Sequence, residues 1–143
     1  MVLVALELSV EDQRLPIYAR YLASFRLVKW WTGMRFDDTL GASPQGITAE
    51  GELFKLKLVR TKTSGPDRRV KTLYAYIAKG GCFGTSAWFD TWLSLHASDP
   101  TVGYDRDYLL PLPAADWETC RRTPACHSDA SALGRTLLEG LTK

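Results

Sequence analysis

The sequence predicts an α+β fold, a mainly helical body carrying a small antiparallel β-sheet. Three observations carry this reading. Apolar residues recur at helical spacing through Ile17, Tyr18, Tyr21, Leu22, Phe25 and Val28. A strand-like alternation follows, in which Phe54, Leu56 and Leu58 are interleaved with Lys55, Lys57 and Val59. A second helical repeat, Ala130, Leu133, Leu137 and Leu141, closes the chain.

Taken in order, Ser9 with Asp12 three residues on reads as a capping box, and Pro16 suits the first turn of a helix. That helix is expected to end near Thr32-Gly33, because glycine commonly closes helices. A short polar helix is expected from Arg35 to Leu40, and Gly41 to Gly46 reads as a turn. Thr63-Ser64-Gly65-Pro66-Asp67 is turn chemistry. Val70 to Ile77, rich in β-branched and aromatic residues, is expected to return as the partner strand of a hairpin, with a third short strand near Ile47. Trp88, Trp92 and Leu95 mark a helix capped by Thr85 or Ser86. Tyr104 to Leu110 is expected to be extended up to Pro111-Leu112-Pro113, where prolines remove backbone donors. The last helix is expected from Ser128 to Leu141.

At 143 residues, 45% hydrophobic and 24% charged, the chain is the size of one domain able to bury a core, expected over 1–143. These values exclude a fibre, a coiled coil and a disordered tail. No stretch approaches the ~18 consecutive apolar residues of a membrane span, so no membrane partner is expected. Met1 to Val10 lacks a basic flank and is interrupted by Glu7, which makes it a poor signal peptide. Three cysteines, Cys82, Cys120 and Cys126, are an odd count for a disulfide framework, and the expected setting is intracellular.

The net charge of +2 conceals an uneven distribution. Residues 1–54 balance at −2 and residues 81–143 at −3, whereas residues 55–80 hold 8 basic groups against Asp67 alone. Such a stripe is the electrostatic footprint of a phosphate-binding surface. It is equally the solubilising face of an exposed hairpin.

Two constellations could carry chemistry. In Thr32-Gly33-Met34-Arg35-Phe36-Asp37-Asp38, the spacing puts Asp38 about one helical turn from Arg35, near enough to orient its guanidinium toward two phosphate oxygens. By itself this also describes an ordinary surface ion pair. In Arg60-Thr61-Lys62-Thr63, Arg60 and Lys62 continue the apolar even-numbered face of the strand. An inward lysine at position 62 needs an anionic partner, either Asp38 or a bound phosphate.

Together these segments resemble the tyrosine recombinases, the phage integrase-like family. Trp30 to Asp38 resembles that family's T-G-[LM]-R-x-x-[ED] box. Leu56 to Thr63, LKLVRTKT, resembles the strand segment that carries the active-site lysine. Arg106-Asp107-Tyr108-Leu109-Leu110-Pro111 resembles the segment that the family reads as "yLFP". RFDD, RTKTSGP and RDYLLP are most similar to the recombinases of eukaryotic mobile elements of the DIRS and Crypton kind. The resemblance covers Leu15 to Pro113.

The resemblance implies the front half of that catalytic fold, with DNA as partner, a nuclear location in a eukaryote, and assembly as a homo-oligomer on DNA at full length. It implies that Arg35 grips the non-bridging oxygens of the scissile phosphate, that Asp38 orients Arg35, and that Lys62 protonates the leaving 5′ oxygen. It makes Lys55, Lys57, Arg60, Arg68, Arg69 and Lys71 DNA contacts. Neither cofactor nor metal is implied, because arginines stabilise the transition-state charge.

The sequence departs from the pattern in two places. The family requires an H-x-x-R box, but Asp99 and Ala130 stand three residues after His96 and His127. All six tyrosines precede the expected position of the nucleophile. The expectation is a partial catalytic domain that does not complete strand transfer alone. Two alternatives stay open: a non-catalytic nucleic-acid-binding remnant, and an unrelated small α+β interaction domain.

Other residues read as structural. The C-x5-C-H spacing of Cys120, Cys126 and His127 fits no common zinc site. Trp30, Trp31, Trp88, Trp92 and Trp117 read mainly as core rather than as base-stacking platforms. Asp105 and Asp107, flanking Arg106, read as solvated.

Overall fold

The computed structural model describes residues 2–60, 73–84 and 88–141. Among these, six helices surround a three-stranded antiparallel sheet and a separate two-stranded ribbon, an α+β architecture. The order is α1 (Val2–Glu11), α2 (Ile17–Thr32), α3 (Phe36–Leu40), β1 (Ala42–Glu50), β2 (Leu53–Leu58), β3 (Leu73–Ala78), α4 (Trp88–Ser98), α5 (Pro100–Gly103), β4 (Pro111–Pro113), β5 (Cys120–Pro124) and α6 (His127–Leu141).

Helix α2 is the spine of the core. Tyr18, Tyr21, Leu22, Phe25 and Val28 are all buried, as the apolar repeat predicts. Gly33 closes it at φ 67°, with its N–H donating to the Lys29 and Trp30 carbonyls. A left-handed residue here is what glycine permits at little cost. Against α2 pack α1, through Leu6 and Val10, and α4, through Trp88, Phe89 and Trp92. Full burial of a large apolar side chain contributes about 1.5–3 kcal/mol, which makes this aromatic cluster a principal source of cohesion.

The alternation in β2 sorts its faces as read from the sequence. Phe54, Leu56 and Leu58 point inward, and Phe54 stacks on Phe89 with ring centroids 4.0 Å apart. Leu53, Lys55 and Lys57 take the opposite face.

Several expectations are corrected. Ser9 is no cap: it lies in the last turn of α1, where its Oγ donates to the Ala5 carbonyl. The N-terminal apolar run is a helix because burial of Leu6 and Val10 against α2 stabilises it. Gly41 to Gly46 is no turn. Strand β1 already pairs at Ala42 with Leu58, and a register irregularity between Ala42 and Ile47 absorbs the Pro and Gly residues. The third strand is thus nine residues long rather than a short piece. Tyr104 to Leu110 is irregular instead of extended, because its carbonyls serve side chains rather than a ladder. Prolines 111 and 113 sit inside the short strand β4, paired with an unanticipated β5. The expected caps Thr85 and Ser86 lie outside the described residues.

Trp88 and Trp92 are core residues, and Trp117 meets Tyr18 edge-on. Trp30 is 57% exposed, against the expectation for the tryptophans as a group.

Candidate functional site

The end of α2 and the start of α3 build the first candidate. After Gly33 reverses the chain, Arg35 becomes the N-cap of α3 in extended conformation. Its carbonyl accepts from both the Thr39 N–H and the Thr39 hydroxyl, each at 3.0 Å, which fixes the backbone under the guanidinium. The Arg35 Nε donates to Asp38 Oδ2 at 3.4 Å, the orientation that the three-residue spacing predicts. Most of the Arg35 side chain remains exposed (69%) while Asp38 is largely covered (22%). A carboxylate thus holds one edge of a guanidinium whose remaining N–H donors face outward, the arrangement that suits bidentate contact with an oxyanion.

Arg35 opens into a cleft of about 540 Å³ lined also by Lys29, Phe36, Asp37, Asp38 and His127. Lys29 and His127 are cationic or ionisable neighbours that sequence reading did not assign. Lys29 lies in the last turn of α2. The His127 ring stands edge-on to Phe36 at 5.3 Å. Among the described residues no cluster of three or more His, Cys, Asp or Glu is arranged to hold a metal ion.

The second candidate is the β2–β3 hairpin. Lys62, Arg68, Arg69 and Lys71 lie outside the described residues. Arg60 does not continue the inward face. Strand β2 ends at Leu58, and the Arg60 side chain turns to solvent, where its Nη1 donates to Asp107 Oδ2 at 2.9 Å. Arg60 thus pairs with Asp107, and Asp107, read as merely solvated, is engaged; the partner expected for Lys62 lies outside the described residues. Lys55 is partly covered, 3.5 Å from Glu50, with its ammonium 4.1 Å from the Tyr74 ring centroid. Lys57 is exposed.

Backbone contacts join the three segments that carry the motifs. The Val59 N–H donates to the Gly41 carbonyl at 3.0 Å, and the Leu109 N–H donates to the Leu40 carbonyl at 2.7 Å. With the Arg60–Asp107 pair, these contacts bring the TGMRFDD segment, the end of β2 through Arg60 and the RDYLLP segment together at α3.

Behind this junction lies a buried polar group that sequence reading missed. Arg106 is 8% exposed. Its Nη1 donates to the carbonyls of Val102 and Tyr104, and its Nη2 to the Tyr21 hydroxyl and the Leu109 carbonyl. The Tyr104 ring lies 4.4 Å from its central carbon. The Tyr21 hydroxyl donates to the Leu109 carbonyl at 2.7 Å, so His96 Nε2, 3.0 Å away, must supply the remaining proton of that contact. Burial, with the Arg106 charge adding to it, pushes His96 down to about 3. The only signal for this network is an arginine beside two tyrosines, which carries no burial information.

No family model, no curated protein and no solved structure matches this chain.

Proposed function

We propose that this chain is the DNA-binding part of a site-specific recombinase or integrase core, incomplete within these residues. In that reading Arg35 binds the non-bridging oxygens of the scissile phosphate and Asp38 holds its guanidinium in place. Lys62 gives its proton to the 5′ oxygen as the phosphorus–oxygen bond breaks and a tyrosine forms the 3′-phosphotyrosyl link. Arg60, Lys55, Lys57, Arg68, Arg69 and Lys71 neutralise the flanking backbone. The supporting observation is the meeting of the TGMRFDD segment, the end of β2 through Arg60 and the RDYLLP segment at α3, with Arg35 oriented by Asp38 and most of its side chain exposed to an anion.

A second reading, nucleic-acid binding without strand transfer, is favoured by one observation. His96 is held against Tyr21 and Trp92, so of the two histidines His127 alone borders the Arg35 cleft.

The test is covalent trapping on a nicked suicide DNA substrate, with this chain joined to a downstream segment bearing H-x-x-R and a tyrosine. The recombinase reading expects a protein–DNA adduct that Arg35→Ala and Lys62→Ala each suppress at least 100-fold. An adduct formed equally by both variants would overturn these roles. DNA binding with no adduct in any version would favour the second reading.

A further inference from the structure

The outward face of the three-stranded sheet carries two features that seldom share a surface: half-exposed aromatic rings and a row of lysines. Tyr74 is 48% and Tyr76 45% exposed. Both project from β3 on the side opposite buried Ile77. Their cross-strand partners are Lys57 and Lys55 respectively, so an ammonium-bearing side chain stands directly across from each ring. Directly opposed side chains have Cβ atoms about 5 Å apart. The two rings are two residues apart on one strand, about 6.8 Å, which gives each ring room for its own planar ligand. Leu53, 40% exposed, extends the same face. Acidic groups are present as well: Glu50 pairs with Lys55 at 3.5 Å, and Glu52 lies in the β1–β2 turn.

We infer that this face is a stacking platform for unpaired bases of a single-stranded polynucleotide. The rings would take two bases, and Lys55 and Lys57 the intervening phosphates. Stacking on tyrosine tolerates any base because every base presents a π-face. The charge argues for a polynucleotide rather than a protein partner, since residues 55–80 hold 8 basic groups against one acidic group. The ammonium of Lys55 already occupies the face of Tyr74, 4.1 Å from its centroid. A base entering there displaces the ammonium toward the adjoining phosphate and leaves the Glu50 carboxylate, 60% exposed, to solvent. A duplex keeps its bases inside the stack and presents no free π-face to these rings. The inference shares Lys55 and Lys57 with the recombinase reading but rests on Tyr74 and Tyr76, and Arg35 and Lys62 take no part in it.

The experiment is fluorescence anisotropy on the whole chain with labelled dT15, rU15 and a 15-base-pair duplex at fixed salt. The expected result is that Tyr74→Ala and Tyr76→Ala each weaken binding of dT15 and rU15 about tenfold and change duplex binding less than twofold. Tyr74→Phe and Tyr76→Phe, which keep the ring, should bind like the unaltered chain. Because these side chains are half in solvent, circular dichroism should show the Ala variants folded; the Phe variants give the same answer if they are not. Equal loss of duplex and single-strand binding in the Ala variants would overturn the inference, as would unchanged dT15 and rU15 binding. Self-association abolished by the Ala variants, with no oligonucleotide binding, would assign the face to protein contact and overturn it too. Preference for dT15 or for rU15 identifies which polymer is the better ligand, and either preference supports the platform.

Discussion

His96 shows how one buried side chain ties stability to pH. Its Nε2 faces the Tyr21 hydroxyl, and Nδ1 is buried with no hydrogen-bond partner among the described residues. Protonating the ring would set a second cation beside Arg106 in a largely buried site. The folded state therefore refuses the proton until about pH 3, whereas an unfolded histidine accepts it near 6.5. Between those values the unfolded chain binds more protons, so stability falls as pH falls through that window, by up to about 1.4 kcal/mol per pH unit. Urea unfolding between pH 7 and 4.5 should show this slope, and His96→Gln, which keeps a donor toward Tyr21, should flatten it. Parallel slopes in the two proteins would show that His96 is not the group responsible. At this same scale the Arg35–Asp38 contact was legible in the sequence, because a three-residue spacing has only a few geometries. The burial of Arg106 was not, because its partners are carbonyls of its own segment and the hydroxyl of a tyrosine 85 residues away.

Among the elements, the seam between α3 and β2 sets where the hairpin leaves the body. Gly41 ends α3 against the strand, and a Cβ built there would stand 1.8 Å from the Arg60 carbonyl oxygen. No side chain rearrangement relieves a clash between Cβ and backbone, so the two segments must separate and the Val59–Gly41 hydrogen bond is strained. Gly41→Ala should cost about 1–3 kcal/mol and lower Tm by roughly 5–10 °C. The control is Gly140→Ala in α6, where nothing lies within 4 Å of the new Cβ and helix propensity predicts an unchanged or higher Tm. Equal Tm shifts in calorimetry would remove the seam from the account. Helices α2, α4 and α6 and strand β2 were legible because their apolar periodicity matches the face each one buries. Strand β1 was hidden because Pro44 and Gly46 mimic turn chemistry where an irregular ladder runs. Helix α1 was hidden because its ten residues gain their helicity from packing on α2 rather than from caps.

Across the whole molecule the question is whether the positive charge acts as one surface. The chain is nearly neutral overall, so a diffuse attraction to polyanions would be weak and would not depend on which cation is removed. A hairpin that tracks a DNA backbone behaves differently. Each phosphate contact releases counterions and adds about 0.9 to the slope of log Kobs against log salt for a duplex. Replacing Arg68, Arg69 and Lys71 together with glutamine should then reduce the magnitude of that slope by about 2–3 and weaken duplex binding steeply at low salt. Arg121 and Arg122, exposed on β5, supply a two-charge comparison outside the hairpin. Their replacement by glutamine should leave the slope unchanged within about 0.5, because neither belongs to the backbone-tracking stripe. The comparison separates the two behaviours cleanly, since both sets of changes lower the net charge but only one shortens the stripe. Slopes that shift in proportion to charge removed, wherever it is removed, would mean that the basic residues act as a scattered cloud. The hairpin would then be an ordinary solvated strand pair, and Arg35 would have no phosphate-tracking partner in the β2–β3 connection.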